Sequence, residues 1–264
     1  MTEDKNTSFL SSLINVSIEA AKPNFVALND NFPKPVKGRT IIIGAGKASG
    51  LMAKSFEDAA NLYWSPDEFS RIEGRVITRY GHAISCERIK VTEAAHPVPD
   101  DMGEVGVQQI LDLLQTLKSD DQVICLFSGG GSALMALPAD GVTMEDKKSI
   151  NKQLLASGVA IHEMNCVRRH LSKIKGGGLL RYCGNAKVST YVVSDVTGDD
   201  PSVIASGPTL PDSTTCQEAL DIIDRFKIQV SDKIRQKLLS GELETLKLGN
   251  PIFERTSEPV ILAS

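Results

Sequence analysis

The chain is short of several features that mark common functional classes. Aromatic residues make up only 5 % of its 264 positions, with a single tryptophan, which leaves little for a platform that stacks nucleic-acid bases. No block of lysine and arginine stands out, and the formal net charge is −4, so a phosphate-backbone binder is disfavoured. The five cysteines (Cys86, Cys125, Cys166, Cys183, Cys216) are scattered, odd in number and without a CxxC pair. That is the usage of a reducing compartment, not of a disulfide framework or a zinc site. None of the four histidines has metal-ligand spacing. No apolar run approaches the ~20 residues of a membrane helix. The first eight residues are polar, unlike a signal or transit peptide. These absences point to a cytoplasmic protein with neither membrane nor nucleic acid as partner.

What is present is a repeated pattern of short apolar runs, each followed by a glycine-rich or polar loop and then a helical periodicity. The clearest case is Val123-Ile124-Cys125-Leu126-Phe127, which runs into Ser128-Gly129-Gly130-Gly131-Ser132. A buried strand, a glycine loop and a following helix together aim backbone N–H groups at one point, a cradle for an anion. Thr40 to Ile43 is a second such strand, followed by Gly44-Ala45-Gly46-Lys47. Arg75 to Thr78, Ile89 to Thr92, Lys187 to Ser194 and a buried run from Pro259 to Ser264 complete the strand set. Amphipathic patterns cover residues 9–22, 48–63, 107–117, 161–175, 218–226 and 234–239, and Thr143 with Asp146 caps one more helix. A short helix is expected from Pro201, capped by Asp200. Alternation of this kind predicts an α/β fold, a doubly wound and mostly parallel Rossmann-like sheet with helices on both faces. Ligands in such sheets bind outside the carboxyl ends of the strands, so the strand-end loops hold the candidate chemistry.

Gly44 and Gly46 begin a dinucleotide fingerprint but do not finish it. Position 49 is serine, and the next strand ends in Arg79 with no acid for a ribose hydroxyl. Neither glycine loop is a Walker A loop. Lys47 opens a helix, where a cation opposes the dipole, so a phosphate or carboxylate neighbour would explain it. Asp195, Asp199 and Asp200 follow a strand; Asp195 and Asp199 are candidate ligands for Mg²⁺, with Asp200 better read as a cap. Arg168, Arg169, Lys173 and Lys175 could hold an acidic substrate, and His96 shares a strand-end loop. Ser128 and Ser132 lack the GxSxG setting of a hydrolase, and no base for them is evident.

Six segments taken together resemble a known family: GAGKAS at 44–49, RYGHA at 79–83, AHPVPD at 95–100, SGGGSAL at 128–134, EMNCVRRHLSKIKGG at 163–177 and SDVTGDDPSVIASGPT at 194–209. They are similar, in order, to the glycerate 2-kinases of the MOFRL type, some of which carry the name hydroxypyruvate reductase. The resemblance implies transfer of the ATP γ-phosphoryl group to the 2-hydroxyl of D-glycerate with Mg²⁺. By the family's pattern Lys47 looks like the catalytic lysine, and the SGGGS loop and Asp195 look like parts of the active-site cleft. The candidate assignment is then Lys47 and Asp195 as catalytic groups, Gly44, Gly46, Ser128, Gly129, Gly130, Gly131 and Ser132 for the cofactor (with Gly129 to Ser132 meeting phosphate or the glycerate carboxylate), His96, Glu163, Asn165, Arg168 and Lys175 for the substrate, and Asp195 and Asp199 for the metal. Residues 1–250 correspond to the family's N-terminal Rossmann-like domain, and 251–264 to the start of a continuation into a C-terminal MOFRL domain that closes the cleft. The expectation is therefore a chain cut from a longer protein, with little kinase activity by itself. A homo-oligomer is left open. The competing readings are a hydroxypyruvate reductase using NAD(P)H and a catalytically dead ligand-binding module. The relatives also tend to carry a basic residue where this chain has Gly176-Gly177-Gly178.

Overall fold

The computed structural model describes residues 2–264. At its centre is a six-stranded sheet of order β3-β2-β1-β4-β5-β6, every neighbouring pair parallel. The strands are β1 (Thr40–Ala45), β2 (Ile72–Arg79), β3 (Ile89–Ala94), β4 (Gln122–Ser128), β5 (Lys187–Val193) and β6 (Val260–Ala263). The apolar runs follow from this placement, because a central parallel strand is covered on both faces. β1 is buried at all six positions. Its alternate side chains feed two cores: Ile41, Ile43 and Ala45 pack under α4 (Asp101–Gln115), and Ile42 packs under α2 (Ser49–Tyr63). The doubly wound expectation is met.

A third apolar cluster has no strand in it. α6 (Met144–Ala156), α7 (Ile161–His170), α8 (Cys216–Arg225) and α9 (Asp232–Leu239) bury Ile150, Leu154, Val167, Leu220, Ile223 and Ile234 against one another. α6 and α7 of this helical layer wall one side of the cleft described below. Thr143 caps α6 as expected, in a reciprocal box with Asp146.

Three expectations from the sequence are corrected, and the N-terminal helix is found where it is expected. The pattern of 161–175 stops being a helix at His170. From there Lys173 N–H bonds the Leu137 carbonyl at 3.1 Å and Ser172 bridges Pro138, so the chain is drawn out alongside residues 137–139. Pro201 opens no α-helix: Asp200 accepts from Ser202 N–H at 2.9 Å, but Ala205 and Ser206 both take positive φ and allow only a 3₁₀ turn over Ile204–Ser206. The N-terminal helix α1 (Thr2–Ala20) ends before Pro23, and its apolar residues Phe9, Leu10, Leu13 and Ile14 are exposed. β6 is a half-exposed edge strand and not a buried one. Among the described residues no helix is long and apolar enough to cross a membrane.

Candidate active site

The strand order reverses between β1 and β4, the switch point where doubly wound sheets bind ligands. Both glycine loops leave the sheet there, and they are tied together. Lys47 N–H donates to the Gly129 carbonyl at 2.8 Å, and Ala48 N–H donates to Ser128 Oγ at 3.0 Å. The buried Ser128 hydroxyl is thus a brace between the loops. Gly44 lies against the Leu126 carbonyl so closely that a Cβ would sit 2.0 Å from that oxygen. Gly130 takes φ of 81°, a conformation open to glycine, and a side chain on it would strike the His96 ring and the Lys47 stem. A Cβ on Gly129 would meet the Asp195 carboxylate. The triple glycine therefore lets three functional side chains close onto bare backbone.

Lys47 and Asp195 come from the ends of β1 and β5 and meet over this loop, Nζ to Oδ2 3.4 Å, both side chains about half exposed. Such a pair adds at most about 1 kcal/mol to stability; its position in the cleft is what distinguishes it. His96, carried by the loop after β3, has its pKa lowered by burial and by the charges of Lys47 and Arg79, with Asp195 opposing.

Beyond Gly130 the site opens into a cleft of about 700 Å³, lined by His96, Ser132, Lys147, Asn151, Arg168 and Lys175 among others. Lys175 is buried and donates to the Ser132 carbonyl at 2.7 Å and to Ser132 Oγ at 2.6 Å. Ser132 Oγ in turn lies 3.0 Å from Ser206 Oγ. Arg168 is held by Asn151 Oδ1, 2.7 Å from its Nε, and by Asn165 Oδ1 at 3.5 Å. Lys147 reaches the Leu171 carbonyl at 3.3 Å, and burial together with Arg168 lowers its pKa to about 8. Burial lowers Arg168 as well, and lowers Lys175 well below the ordinary lysine value.

The structure divides the basic cluster expected from sequence. Arg169 pairs with Asp212 at 3.1 Å and Lys173 with Asp140 at 2.5 Å, both away from the cleft lining. Arg168 and Lys175 face the cleft, joined by Lys147. Glu163 is taken up by an ion pair with Arg225. Asn165 is buried behind Arg168. Asp199 stands four residues after Asp195 in the same loop, at φ of 51°. Sequence reasoning missed Lys147, Asn151 and Ser206. Lys147 and Asn151 were readable only as polar positions i and i+4 on one face of the α6 pattern.

A parallel doubly wound sheet with a glycine loop, a lysine and an aspartate at its switch point defines an α/β protein of the doubly wound class. More specifically, residues 8–239 match the family model described as "Domain of unknown function (DUF4147)", and the chain belongs to that family. Among named relatives it is 45 % identical over 240 residues to a "Putative hydroxypyruvate reductase" of Agrobacterium vitis, covering 91 % of this chain and 53 % of the relative. It is 39 % identical over 218 residues to the "Glycerate 2-kinase" of Pyrococcus horikoshii, covering 80 % and 47 %. The crystal structure of glycerate kinase from Thermotoga maritima superimposes with a TM-score of 0.83 at 34 % identity, over 99 % of this chain and 59 % of that one. The chain spans about half the length of the curated relatives it matches.

Proposed function

We propose that this chain is the ATP-side half of a glycerate 2-kinase of the MOFRL type, transferring the γ-phosphoryl group of ATP to the 2-hydroxyl of D-glycerate in the cytoplasm. The observation that carries the reading is the meeting of Lys47 and Asp195 over a side-chain-free loop, next to a basic cleft sized for a small acid. Phosphoryl transfer asks for positioning and charge neutralisation more than for covalent chemistry. Backbone N–H groups of Gly129–Ser132 and the Lys47 ammonium suit the phosphates, with Gly44 and Gly46 keeping the first loop close. Arg168, with Asn165 and Asn151 bracing it, and Lys147 suit the glycerate carboxylate. His96 lies against Gly130 beside the Lys47 stem and lines the cleft.

Mg²⁺ fits the residues present. Asp195 offers a half-exposed carboxylate at the loop, Asp199 follows it, and Mg²⁺ takes one or two carboxylates with the remaining positions left to phosphate oxygens and water. When bound, the ion would neutralise phosphate charge, while Lys47 and the loop amides bind and orient the phosphates. In the same reading, residues 1–250 form the nucleotide-side domain and 251–264 lead into the family's second domain.

The test is an assay of the full-length gene product with D-glycerate, ATP and Mg²⁺. Turnover is expected, and Lys47→Ala should lower kcat by roughly 10²–10³-fold, the usual cost of removing one group that stabilises transition-state charge. Near-normal turnover by Lys47→Ala overturns the assignment. Oxidation of NAD(P)H by hydroxypyruvate without ATP would instead establish the reductase that one relative's name suggests.

A further inference from the structure

Lys175 carries more than a substrate contact. Its side chain is 3 % exposed, and both of its acceptors belong to one residue, Ser132. The charged groups that act on it are Lys147 from α6 and Arg168 and Arg169 from α7, all cations. Among the described residues no carboxylate pairs with its Nζ, whereas Arg169 and Lys173 beside it each have one. A buried ammonium ringed by like charges is costly, and burial with these cations lowers the Lys175 pKa well below the ordinary lysine value. Ser132 Oγ stands between Lys175 Nζ, 2.6 Å away, and Ser206 Oγ, so when the amine is neutral the Ser132 hydroxyl can turn its proton toward the Nζ lone pair. Ser132 and Lys175 both line the cleft, two residues from Gly130, where Lys47 and His96 converge.

We propose that Ser132 and Lys175 form the proton-accepting relay of the transfer reaction. The hydroxyl of the bound hydroxy acid gives its proton to Ser132 Oγ while Ser132 passes its own proton to Lys175 Nζ. This rests on the phosphoryl-transfer reading of the cleft. The substrate O–H bond breaks, and its oxygen forms a bond to the terminal phosphorus of ATP. The bond from that phosphorus to the bridging oxygen breaks, and ADP leaves with the electron pair. One proton is released overall, and Lys175 holds it as ammonium until it returns to water through the cleft. His96 is the rival base, but its ring lies against Gly130 and the Lys47 stem, on the phosphate side of the site.

The direction of the Lys175 shift supports the relay, since burial and the three neighbouring cations favour the neutral amine. Arginine at this position keeps the positive charge and can donate to Ser132, but it holds its proton throughout the working pH range. In the full-length gene product, Lys175→Arg should therefore lower kcat at least about 100-fold, within the usual span for loss of an acid–base group, while KM for D-glycerate changes less than about threefold. Ser132→Ala, a small truncation that spares the lysine, should show the same split. The wild-type kcat should rise with pH through an acid limb that both variants lack. Retention of kcat within about threefold by Lys175→Arg, or loss of the acid limb in His96→Gln and not in Ser132→Ala, overturns the relay. Nζ of ¹⁵N-labelled lysine, followed by NMR with Lys175→Arg as the assignment control, reads the amine without any activity. Titration well below the ordinary ~10.4 is expected, and titration at that ordinary value overturns the proposal. If wild type fails to phosphorylate D-glycerate yet Lys175 titrates low, the substrate reading fails and the neutral amine stands.

Discussion

Glycines in this site do two different jobs, and alanine substitution separates them. At Gly129 an added Cβ would lie 1.8 Å from Asp195 Oδ2 and 2.3 Å from its Cγ. The obstacle is the far end of a side chain that is 52 % exposed, so it can swing outward. To reach ordinary contact the carboxylate must retreat by about 1.6 Å. The fold should absorb this with a stability loss of no more than about 1 kcal/mol, a fall in Tm under roughly 4 °C for a chain of this size. The site should not absorb it, because the move separates Asp195 from Lys47, now 3.4 Å away. Misplacing a reacting group by about 1 Å commonly costs about 100-fold, so kcat/KM of Gly129→Ala should fall by about that factor. At Gly44 the obstacle is the Leu126 carbonyl, 2.0 Å from the added carbon, in the middle of the β1–β4 pairing. Neither strand can step aside without breaking the ladder. Gly44→Ala should cost about 3 kcal/mol or more, which lowers Tm by roughly 6–12 °C. Thermal unfolding by circular dichroism and a coupled assay of ADP release measure both quantities. The reasoning is refuted if Gly129→Ala keeps kcat/KM within about threefold, or if it unfolds as early as Gly44→Ala.

Two further outcomes follow from contacts outside the loop. Asp121 is buried beside Arg39, accepting from Arg39 Nη2 at 2.8 Å, Arg39 N–H at 2.6 Å and Lys118 N–H at 3.0 Å. Burial alone would raise its pKa, and these bonds overcome that and depress it. A depressed folded value contributes stability that is fully present above the unfolded value near 4 and lost as pH falls through the folded one. Asp121→Asn should thus lose about 3 kcal/mol at neutral pH, and the gap to wild type in denaturant midpoint should close in acid below about pH 4. Asn151→Ala frees Arg168 from its strongest brace. Its KM for D-glycerate should rise roughly tenfold, the worth of one hydrogen bond to a charged group, with kcat nearly unchanged; an unchanged KM would remove Arg168 from the carboxylate site.

The fold was readable because its signals are local and redundant. Ile41-Ile42-Ile43 and Val123–Phe127 are apolar at consecutive positions, which only a strand covered on two faces requires. Strand order was not readable, since parallel pairing is decided by crossovers that no short window contains. Helix ends failed for the same reason. Residues 171–175 keep a helical apolar pattern, yet Leu171 and Ile174 are buried by a chain that has already turned to pair with residues 137–139. Glu57 is a further case. It falls on the amphipathic pattern of α2 as an ordinary polar residue, yet it is 2 % exposed because its carboxylate accepts from the backbone N–H groups of Glu87, Arg88 and Ile89.

The site divides along a physical line. Lys47 and Asp195 were legible because a charged residue directly after a parallel strand has few positions to occupy other than the sheet's carboxyl edge. Lys147, Asn151 and the separation of Arg168 from Arg169 were not, because polar residues on a helix read as a solvated face whatever lies opposite. What lies opposite here is a cavity whose floor is Lys175 and Ser132. Among the described residues no carboxylate pairs with Lys147, Arg168 or Lys175, and burial works against the charge of each. A fold does not keep such an arrangement for stability, since replacing buried charges by apolar groups of similar volume is commonly neutral or favourable. An anion that enters the cleft offsets the charges of Arg168 and Lys147, and its binding strengthens as pH falls and Lys147 takes up its proton. Anion affinity and the protonation of Lys147 are therefore linked in this cleft.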